Sequence, residues 1–228
     1  MESIAICKEL VKNYRMGKME VQALRGVSLS IEKGGFTALA GPSGSGKTTI
    51  LNLLGGLDLP DSGSIMVDGN DFTLMNQSQL AQLRLHKIGF VFQAYNLIPV
   101  LSALENVEYV MLLQGIPLKE RRERSKVILD EVGLSDMYER RPAELSGGQQ
   151  QRVAVARAIV SNPALVLADE PTANLDSETG RGLLEIMKEM NEKRGVTFIF
   201  STHDAQVMTY ARRLIHIRDG RIAEDMRK

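Results

Sequence analysis

Residues 36–54 read FTALAGPSGSGKTTILNLL. The first five form a short apolar run that ends at a glycine, and this pattern predicts a buried strand. Glycine and serine crowd residues 41–46, a composition typical of a tight loop. Residues 47–54 are compatible with a helix. The predicted order is therefore a buried strand, a glycine-rich loop and a helix.

The glycine-rich loop fits the pattern G-x-x-x-x-G-K-[ST] over residues 41–48. Glycines allow several backbone N–H groups to converge on one polyphosphate, and the helix that follows presents its N-terminus to the same anion. Lys47 adds a positive charge at the β- and γ-phosphates, and the Thr48 hydroxyl can ligate Mg²⁺. A plain turn is the alternative, which the predicted strand and helix on either side disfavour. The predicted nucleotide-binding loop comprises Gly41, Pro42, Ser43, Gly44, Ser45, Gly46, Lys47, Thr48 and Thr49.

A second apolar run, residues 165–168, ends in the acids Asp169 and Glu170. A buried strand can place Asp169 at its carboxyl end beside the glycine-rich loop, where this acid holds Mg²⁺ through water. Glu170 then lies next to the γ-phosphate. Successive residues on a strand point to opposite faces, so the two acids need not share a role. We assign Glu170 as the general base for the attacking water.

Composition narrows the classes of function. The 228 residues include 28 Lys plus Arg and 28 Asp plus Glu, and this balance argues against nucleic-acid binding over a wide charged surface. A single cysteine excludes an intramolecular disulfide framework. No apolar run approaches the roughly 20 residues that cross a bilayer, and the N-terminus lacks the pattern of a signal peptide. Any membrane-spanning part is therefore expected on another chain.

Strand-like and helix-like segments alternate along the chain. Besides residues 36–40, strands are predicted over residues 21–31, 64–67, 88–92, 165–168, 196–200 and 214–217. Besides residues 47–54, helices are predicted over residues 103–113, 119–132, 146–161 and 178–193. The alternation predicts a parallel sheet with crossover helices, interrupted by a mostly helical insert over residues 94–160.

Residues 145–152 read LSGGQQQR and lie upstream of the acidic strand. This motif resembles the signature of the ATP-binding subunit of ABC transporters. In physical terms it is a second helix N-terminus that can bind an anion, because Ser146 can cap the helix or donate to a phosphate. The resemblance implies that the motif closes over the γ-phosphate of ATP bound to a second copy of the chain. Its five residues are Leu145, Ser146, Gly147, Gly148 and Gln149.

The resemblance also implies roles for residues outside these motifs. Gln93 corresponds to the glutamine that contacts Mg²⁺ and the attacking water, and His203 to the histidine that binds the γ-phosphate and positions Glu170. Tyr14 corresponds to the aromatic residue that stacks on adenine. The segment that crosses the dimer interface corresponds to Asn174, Leu175 and Asp176. The implied catalytic residues are Lys47, Gln93, Glu170 and His203, and the implied Mg²⁺ ligands are Thr48, Gln93 and Asp169.

The resemblance covers nearly the whole chain and implies an α/β fold. Its parts are a P-loop NTPase core with a parallel sheet, an N-terminal antiparallel β part and a helical insert. A single ABC ATPase domain, residues 1–228, would consist of a nucleotide-binding core (residues 1–93 and 161–228) and a helical subdomain (residues 94–160) that carries the signature. The implied ligands are ATP and Mg²⁺.

The implied assembly is a head-to-tail homodimer around ATP, bound to an integral membrane permease and not to nucleic acid. This places the chain in the cytoplasm, peripheral on the inner face of the cell membrane. The segments FQAYNLIP, LENV and PTANLD, which start at residues 92, 104 and 171, are similar to lipoprotein-release and macrolide-export ATPases. In that subgroup the partner is a four-helix membrane protein with a large extracytoplasmic domain. Cell-division and peptide-antibiotic resistance ATPases are close relatives of that subgroup, so they remain alternatives to it.

A GTPase switch is disfavoured, because the sequence contains no Asn-Lys-x-Asp motif to read guanine. Two other functions remain as alternatives. One is a soluble ABC ATPase acting in DNA repair or translation, which is disfavoured because the chain has one set of motifs and a short insert between Gln93 and Leu145. The other is a nucleotide-binding module without catalysis, which is disfavoured by the presence of Glu170 and His203. The main prediction is an ATPase that powers a membrane transporter through closure and opening of its dimer.

Overall fold

The computed structural model describes residues 2–17 and 19–228, which form two β-sheets and the helices around them. The strands are β1 (Ser3–Met16), β2 (Met19–Glu32), β3 (Phe36–Ala40), β4 (Ser62–Val67), β5 (Asn70–Asp71), β6 (Ile88–Val91), β7 (Leu165–Asp169), β8 (Phe198–Thr202), β9 (Arg213–Arg218) and β10 (Arg221–Arg227). The helices are α1 (Lys47–Leu54), α2 (Gln77–Lys87), α3 (Ala103–Leu113), α4 (Leu118–Glu131), α5 (Gly147–Ile159), α6 (Ser177–Arg194) and α7 (Ala205–Tyr210). Short 3₁₀ turns lie at Phe72–Leu74 and Pro142–Glu144.

The larger sheet has the strand order β10-β9-β3-β8-β7-β6. β10 pairs antiparallel with β9, whereas the other pairs are parallel. β3 and β8 are buried at every residue, as is typical of parallel strands covered on both faces. In the strand register, Ala40 lies opposite Thr202 and Asp169 opposite Ser201. The carboxyl ends of β3, β7 and β8 are therefore level on one edge of the sheet.

The smaller sheet is antiparallel, with the strand order β2-β1-β4-β5. Its buried side chains, such as Ile31 and Ile65, pack with α1 and with one face of the parallel sheet, to which Leu39 belongs. On the opposite face, Phe36 and Ala38 pack in a second core with α3, α5 and α6. The predicted α/β fold with a parallel sheet and an N-terminal antiparallel β part is confirmed.

Several predicted segments agree with the structure, and others are displaced. β3, α1 and α3 have the predicted bounds. β8 begins at Phe198 and extends to Thr202, so the prediction of residues 196–200 was placed too early. α5 begins at Gly147, because Ser146 is its N-cap and stays outside the helix. Helices α3, α4 and α5 follow one another between β6 and β7.

Strands β1, β5 and β10 and helices α2 and α7 were not predicted from the sequence. Register shifts in β1, such as the one between Cys7 and Leu10, break the alternation that predicts a strand. α2 buries Leu80 and Leu83 but is otherwise largely polar, so its apolar periodicity is weak. β10 is mostly exposed at the edge of the sheet, and its sequence RIAEDMR carries little apolar pattern.

Candidate functional site

The glycine-rich loop joins β3 to α1 and has a backbone shape that favours glycine. Gly41 has a φ of +152° and Gly46 a φ of +108°. A Cβ at Gly41 would lie 2.1 Å from the carbonyl oxygen of Ile217, and a Cβ at Gly46 would lie 2.8 Å from that of Ala23. Since β9 and β2 approach so closely, a side chain at either position would displace the backbone.

Lys47 opens α1 with its side chain directed back over the loop. Its Nζ donates to the carbonyl oxygens of Gly41 at 2.8 Å and Pro42 at 3.0 Å, and the residue is buried. The buried Oγ of Ser45 has no hydrogen-bond partner within the described residues. A polyphosphate needs several hydrogen-bond donors close together. This loop offers the Lys47 ammonium, the Ser45 hydroxyl and backbone N–H groups. The loop therefore fits the triphosphate of a nucleotide.

Thr48 and Asp169 meet at the edge of the sheet. The Thr48 Oγ1 lies 3.1 Å from each carboxylate oxygen of Asp169. Thr48 is exposed and Asp169 is half-buried, so water can reach both side chains. Hydroxyl and carboxylate oxygens are hard ligands that suit Mg²⁺, which also keeps several waters. These two residues fit a Mg²⁺ ion and would hold it.

Ser201, at the end of β8, is a site residue that the sequence analysis did not identify. Its buried Oγ donates to Asp169 Oδ1 at 2.5 Å and accepts a hydrogen bond from the Glu170 N–H at 3.0 Å. One hydroxyl therefore fixes the side chain of the first acid and the backbone of the second. The signal that could have identified it is its position two residues before His203, at the end of a strand that pairs with β7.

Glu170 lies just beyond β7 and has a φ of +46°, in the left-handed region. This conformation costs a non-glycine residue on the order of 1 kcal/mol or more. Asp169 contacts Thr48, whereas Glu170 Oε1 lies 2.9 Å from His203 Nδ1. The backbone turns at Glu170, and the two acids thus contact different partners. The structure brings Glu170 and His203 together, with the imidazole exposed.

A cleft of about 490 Å³ opens between the loop and β2. Its lining residues are Val21, Gln22, Ala23, Arg25, Gly44, Gly46, Lys47, Thr48, Thr49, Asp219 and Gly220. Tyr14 does not line the cleft but flanks it, since it pairs with Val21 across β1 and β2. The Tyr14 hydroxyl donates to Asp58 Oδ2 at 2.9 Å. The predicted base-stacking residue is therefore at the margin of the cleft, with its hydroxyl fixed.

Gln93 follows β6 in a loop and is exposed. Its carbonyl oxygen accepts a hydrogen bond from Asn174 Nδ2 at 3.0 Å. The buried side chain of Gln151, in α5, donates to the carbonyl oxygens of Phe92 at 3.2 Å and Pro171 at 2.7 Å. Two amide side chains thus join the loops that follow β6 and β7. The Gln93 side chain itself stays at the surface, clear of this connection.

The signature motif forms the start of α5. Ser146 Oγ accepts a hydrogen bond from the Gln149 N–H at 3.3 Å, and Gln149 Oε1 accepts one from the Ser146 N–H at 2.9 Å. A Cβ at Gly148 would lie 2.2 Å from Thr179 Cγ2, so α6 leaves no space for a side chain there. Leu145 is buried beneath the helix start, and Ser146 is exposed. Across the described ranges, no hydrogen bond joins residues 145–149 to residues 41–48.

Asp176 is the N-cap of α6. It accepts hydrogen bonds from the Thr179 hydroxyl at 2.6 Å and from the N–H groups of Thr179 and Glu178 at 3.0 and 3.1 Å. These bonds, above all the one from the Thr179 hydroxyl, hold the pKa of Asp176 below its ordinary value. Asn174 is exposed, and Leu175 packs half-buried against the core. The role of this segment at a dimer interface stays a prediction.

The chain matches known proteins along most of its length. The family profile described as "ABC transporter" matches residues 24–173. An uncharacterized ABC transporter ATP-binding protein of Thermotoga maritima is 47% identical over 222 residues, with 97% of this chain and 94% of that protein covered. The macrolide export ATP-binding/permease protein MacB of Syntrophobacter fumaroxidans is 48% identical over 215 residues. That match covers 93% of this chain but 30% of the relative, so the chain spans about a third of such proteins.

One solved structure is similar to this chain in both sequence and fold. The dimeric post-hydrolysis state of the ATP-binding cassette MJ0796 of Methanocaldococcus jannaschii, bound to ADP and Pi, matches with a TM-score of 0.90 and 41% identity, covering 98% of each chain. Within the residues that the structure describes, no helix has the length and apolar character needed to cross a membrane. Because the sequence, the fold and the side chains at the sheet edge agree, the chain belongs to the ABC transporter family as an ATP-binding cassette.

Proposed function

We propose that this cassette binds ATP with Mg²⁺, hydrolyses it within a dimer and thereby powers a membrane permease of the exporter or lipoprotein-release type. The observation that carries the proposal is the 2.9 Å contact between Glu170 and His203, next to the Thr48–Asp169 pair. A carboxylate base, an imidazole that orients it and a Mg²⁺ site on one sheet edge are the groups that hydrolysis of a nucleoside triphosphate needs.

Each residue at the sheet edge has a task that follows from its position. Lys47 and the loop N–H groups bind the β- and γ-phosphates, and bound Mg²⁺ offsets the phosphate charge. Glu170 accepts a proton from the attacking water, while the His203 Nδ1–H holds the carboxylate in place. Phosphoryl transfer needs little covalent help, so positioning and charge stabilisation supply most of the rate enhancement.

A second copy of the chain would complete each site. The signature motif presents a capped helix N-terminus at an exposed position, and such an N-terminus attracts phosphate. The related MJ0796 structure is described as dimeric with ADP and Pi bound, which supports the same assembly for this chain. In a two-fold, head-to-tail dimer, each Ser146 would face the γ-phosphate held by the partner, with Asp176 and its neighbours at the interface.

The permease would dock in the groove between α2, β6 and α5. This groove has a volume of about 390 Å³ and is partly apolar, with the rings of Phe90 and Phe92 stacked at a centroid distance of 5.6 Å. Arg157 also lines the groove and donates to the carbonyl oxygen of Asn96 at 2.6 Å. A permease segment with apolar and acidic side chains suits this lining. This permease segment would contact the loop that carries Gln93. It would therefore respond when loss of the γ-phosphate shifts that loop.

The same docking would place the chain against the cytoplasmic side of a membrane. The MacB relative is named as an ATP-binding/permease protein, which supports a permease of that kind as the partner. Residues 94–160 would then act as a helical subdomain that moves relative to the core as the dimer closes and opens. Helix α5 carries the signature, and residues of α3 and α5 form one wall of the groove.

The hydrolytic role is tested by the variant Glu170→Gln. The amide keeps the shape of the side chain but cannot accept a proton, so turnover should fall by about 10²- to 10⁴-fold. ATP binding should persist, and the closed dimer should accumulate because its ATP is no longer cleaved. Steady-state ATPase assays measure the first effect, and light scattering with and without ATP measures the second.

A matched control is Glu189→Gln, an exposed glutamate of α6 that pairs with Lys193 on the same helix. It should leave both turnover and the mass seen by scattering unchanged. Near-normal turnover in Glu170→Gln would remove this residue from its role as base. Loss of turnover without ATP-dependent dimerisation would contradict the two-copy site. Isolation of the chain from solubilised membranes without any membrane protein would contradict the permease.

A further inference from the structure

Three side chains form a connected polar cluster beside the cleft, outside the phosphate-binding residues. Asp58, in the loop after α1, accepts hydrogen bonds from Lys12 Nζ at 2.7 Å and from the Tyr14 hydroxyl at 2.9 Å, one on each carboxylate oxygen. Lys12 Nζ also donates to the carbonyl oxygen of Leu59 at 2.7 Å. Lys12 and Tyr14 lie on β1, so the cluster ties this strand to the loop.

A second acid strengthens the same connection. Asp61 accepts a hydrogen bond from the Asn13 N–H at 2.6 Å, and its own N–H donates to the carbonyl oxygen of Val11 at 2.9 Å. Its carboxylate also lies 3.8 Å from Lys12 Nζ. The loop after α1 is therefore fixed to β1 on both sides of Lys12. These contacts fix the position of Asp58, whose carboxylate accepts the hydrogen bond from the Tyr14 hydroxyl.

Lys12 also lies over the ring of Tyr14. Its Nζ is 5.3 Å from the ring centroid, within the distance of about 6 Å at which a cation is attracted to an aromatic face. One face of the ring is therefore covered by the ammonium group. A planar ligand that stacks on this ring would therefore have to use the opposite face.

The charges within the cluster agree with this geometry. Burial raises the pKa of Asp58, but the hydrogen bonds from Lys12 and Tyr14 outweigh burial and leave this pKa below its ordinary value. Burial, and then the hydrogen bond to Asp58, raise the pKa of Tyr14. The carboxylate is thus ionised and the phenol is protonated near neutral pH. Hydrogen bonds to an ionised group are stronger than neutral ones, so the tyrosine orientation is well defined.

We infer that Lys12 and Asp58 are positioning residues that hold Tyr14 with one ring face open to the base of the bound nucleotide. The location supports this, because Tyr14 pairs with Val21, which lines the cleft beside Thr49. The inference rests on the proposed function, in which Tyr14 stacks on the base of ATP. It adds that the base contact depends on two side chains that touch neither base nor phosphate.

A purely structural role for the cluster makes a different prediction. If Asp58 only held the loop after α1, its loss would disturb the adjacent phosphate-binding helix. Binding of any polyphosphate would then weaken, whether or not the ligand carried a base. Inorganic tripolyphosphate offers the phosphate chain of ATP without the base, so a comparison of the two ligands separates the roles.

The test is calorimetric titration of the full chain with ATP and with tripolyphosphate, each with Mg²⁺. Tyr14→Ala should weaken ATP binding by about 10-fold, the size expected for loss of one base–aromatic stack. Asp58→Ala, Lys12→Met and Tyr14→Phe should each weaken ATP binding by about 3-fold. All four variants should leave tripolyphosphate binding unchanged. The control is Lys87→Met, which removes the 2.8 Å ion pair with Asp68 away from the cleft and should change neither affinity.

A double-mutant cycle completes the test. Asp58→Ala should weaken ATP binding less in a Tyr14→Phe background than in the original chain, since one of the two hydrogen bonds that it removes is already absent. Equal weakening of both ligands, or full additivity in the cycle, would overturn the inference and leave only loop support. An unchanged ATP affinity in Tyr14→Ala would overturn it as well, together with the stacking role of Tyr14. These binding results are independent of turnover, so failure of the Glu170→Gln test would affect only the hydrolytic part of the proposed function.

Discussion

The sheet edge and the start of α5 both carry nucleotide motifs, but they differ in how their polar groups are used. At the sheet edge, hydrogen bonds connect Thr48, Asp169, Ser201, Glu170 and His203 in one continuous series. At the start of α5, Ser146 and Gln149 bond to each other, and Ser146 remains exposed. The first region is organised within one chain, whereas the second is a capped surface.

This difference has a physical cause. The register of a parallel sheet places the ends of β3, β7 and β8 side by side, so the residues that follow these strands meet without help from another chain. The signature motif is fixed by helix capping and by contact of Gly148 with α6. The sheet edge is organised within one chain, whereas the signature motif would be presented to a second copy. The two regions should therefore respond differently to mutation.

The largest effect that separates the two regions is expected from Gly148→Ala. The new Cβ would lie 2.2 Å from Thr179 Cγ2, and because Asp176 holds the Thr179 hydroxyl, we expect the contact to displace the start of α5. A misplacement of about 1 Å at a catalytic surface can lower turnover by about 10²-fold. Binding of ATP to the phosphate loop should change by less than about twofold, because this loop lies in the other region. Steady-state assays and calorimetry measure the two quantities.

A rescue variant sharpens the same prediction. Thr179→Ser removes the Cγ2 that meets the new side chain but keeps the hydroxyl that donates to Asp176. The pair Gly148→Ala and Thr179→Ser should therefore recover much of the lost turnover, whereas Thr179→Ser alone should have little effect. If Gly148→Ala weakened ATP binding as strongly as turnover, the two regions would not be separable.

The reciprocal change, Lys47→Ala, should act on binding. It removes the ammonium that the loop carbonyls hold over the phosphate site, and loss of a charged hydrogen-bond donor should weaken ATP binding by about 10- to 100-fold. Calorimetry measures this loss, with the exposed Lys193→Ala on α6 as the control. Unchanged affinity in Lys47→Ala would contradict the assignment of the phosphate loop.

A smaller effect is expected from Ser201→Ala, which tests the hydrogen bonds within the sheet edge. The variant leaves the partly buried N–H of Glu170 without its partner, which should cost about 1 kcal/mol of folding stability. Turnover should fall about 10-fold, because Asp169 and Glu170 both lose their hydrogen bond to the Ser201 hydroxyl. Thr197→Val is the matched control, because it removes a buried hydroxyl that accepts from the Gly34 N–H, before β8 begins. It should lower stability in urea denaturation but leave turnover unchanged.

The contrast between the regions also shows what could be predicted from the sequence. Contiguous motifs with a strong local pattern, such as β3 followed by the glycine-rich loop and α1, were predicted with correct bounds. The pairing of Glu170 with His203 could be anticipated only through family resemblance. Ser201 and Asp58 were missed because their roles depend on the strand register and on a loop that contacts β1, which a one-dimensional pattern does not contain.

Cys7 offers the smallest expected effect on turnover, because it belongs to neither region. It lies in β1, opposite Leu29 and Ile65 in the strand register, and burial raises its pKa to about 12. In the native protein the thiol should therefore resist disulfide reagents at pH 8 and react once urea unfolds the chain. Cys7→Ala should leave ATP turnover within about twofold of the original value. Faster labelling of the native protein would show that the β part opens locally.

The same thiol gives a pH-dependent prediction with a definite sign. An unfolded cysteine has a pKa of about 8.5, so between this pH and the folded value the native state binds the extra proton. Folding stability must then decrease as pH rises from about 8.5, and by pH 10 the loss from this group alone should approach 2 kcal/mol. Urea denaturation at pH 8 and pH 10 should show this loss in the original chain and not in Cys7→Ala. An equal loss of stability in the original chain and in Cys7→Ala would mean that solvent reaches Cys7 in the folded protein. ATP turnover should not differ between these two proteins at either pH.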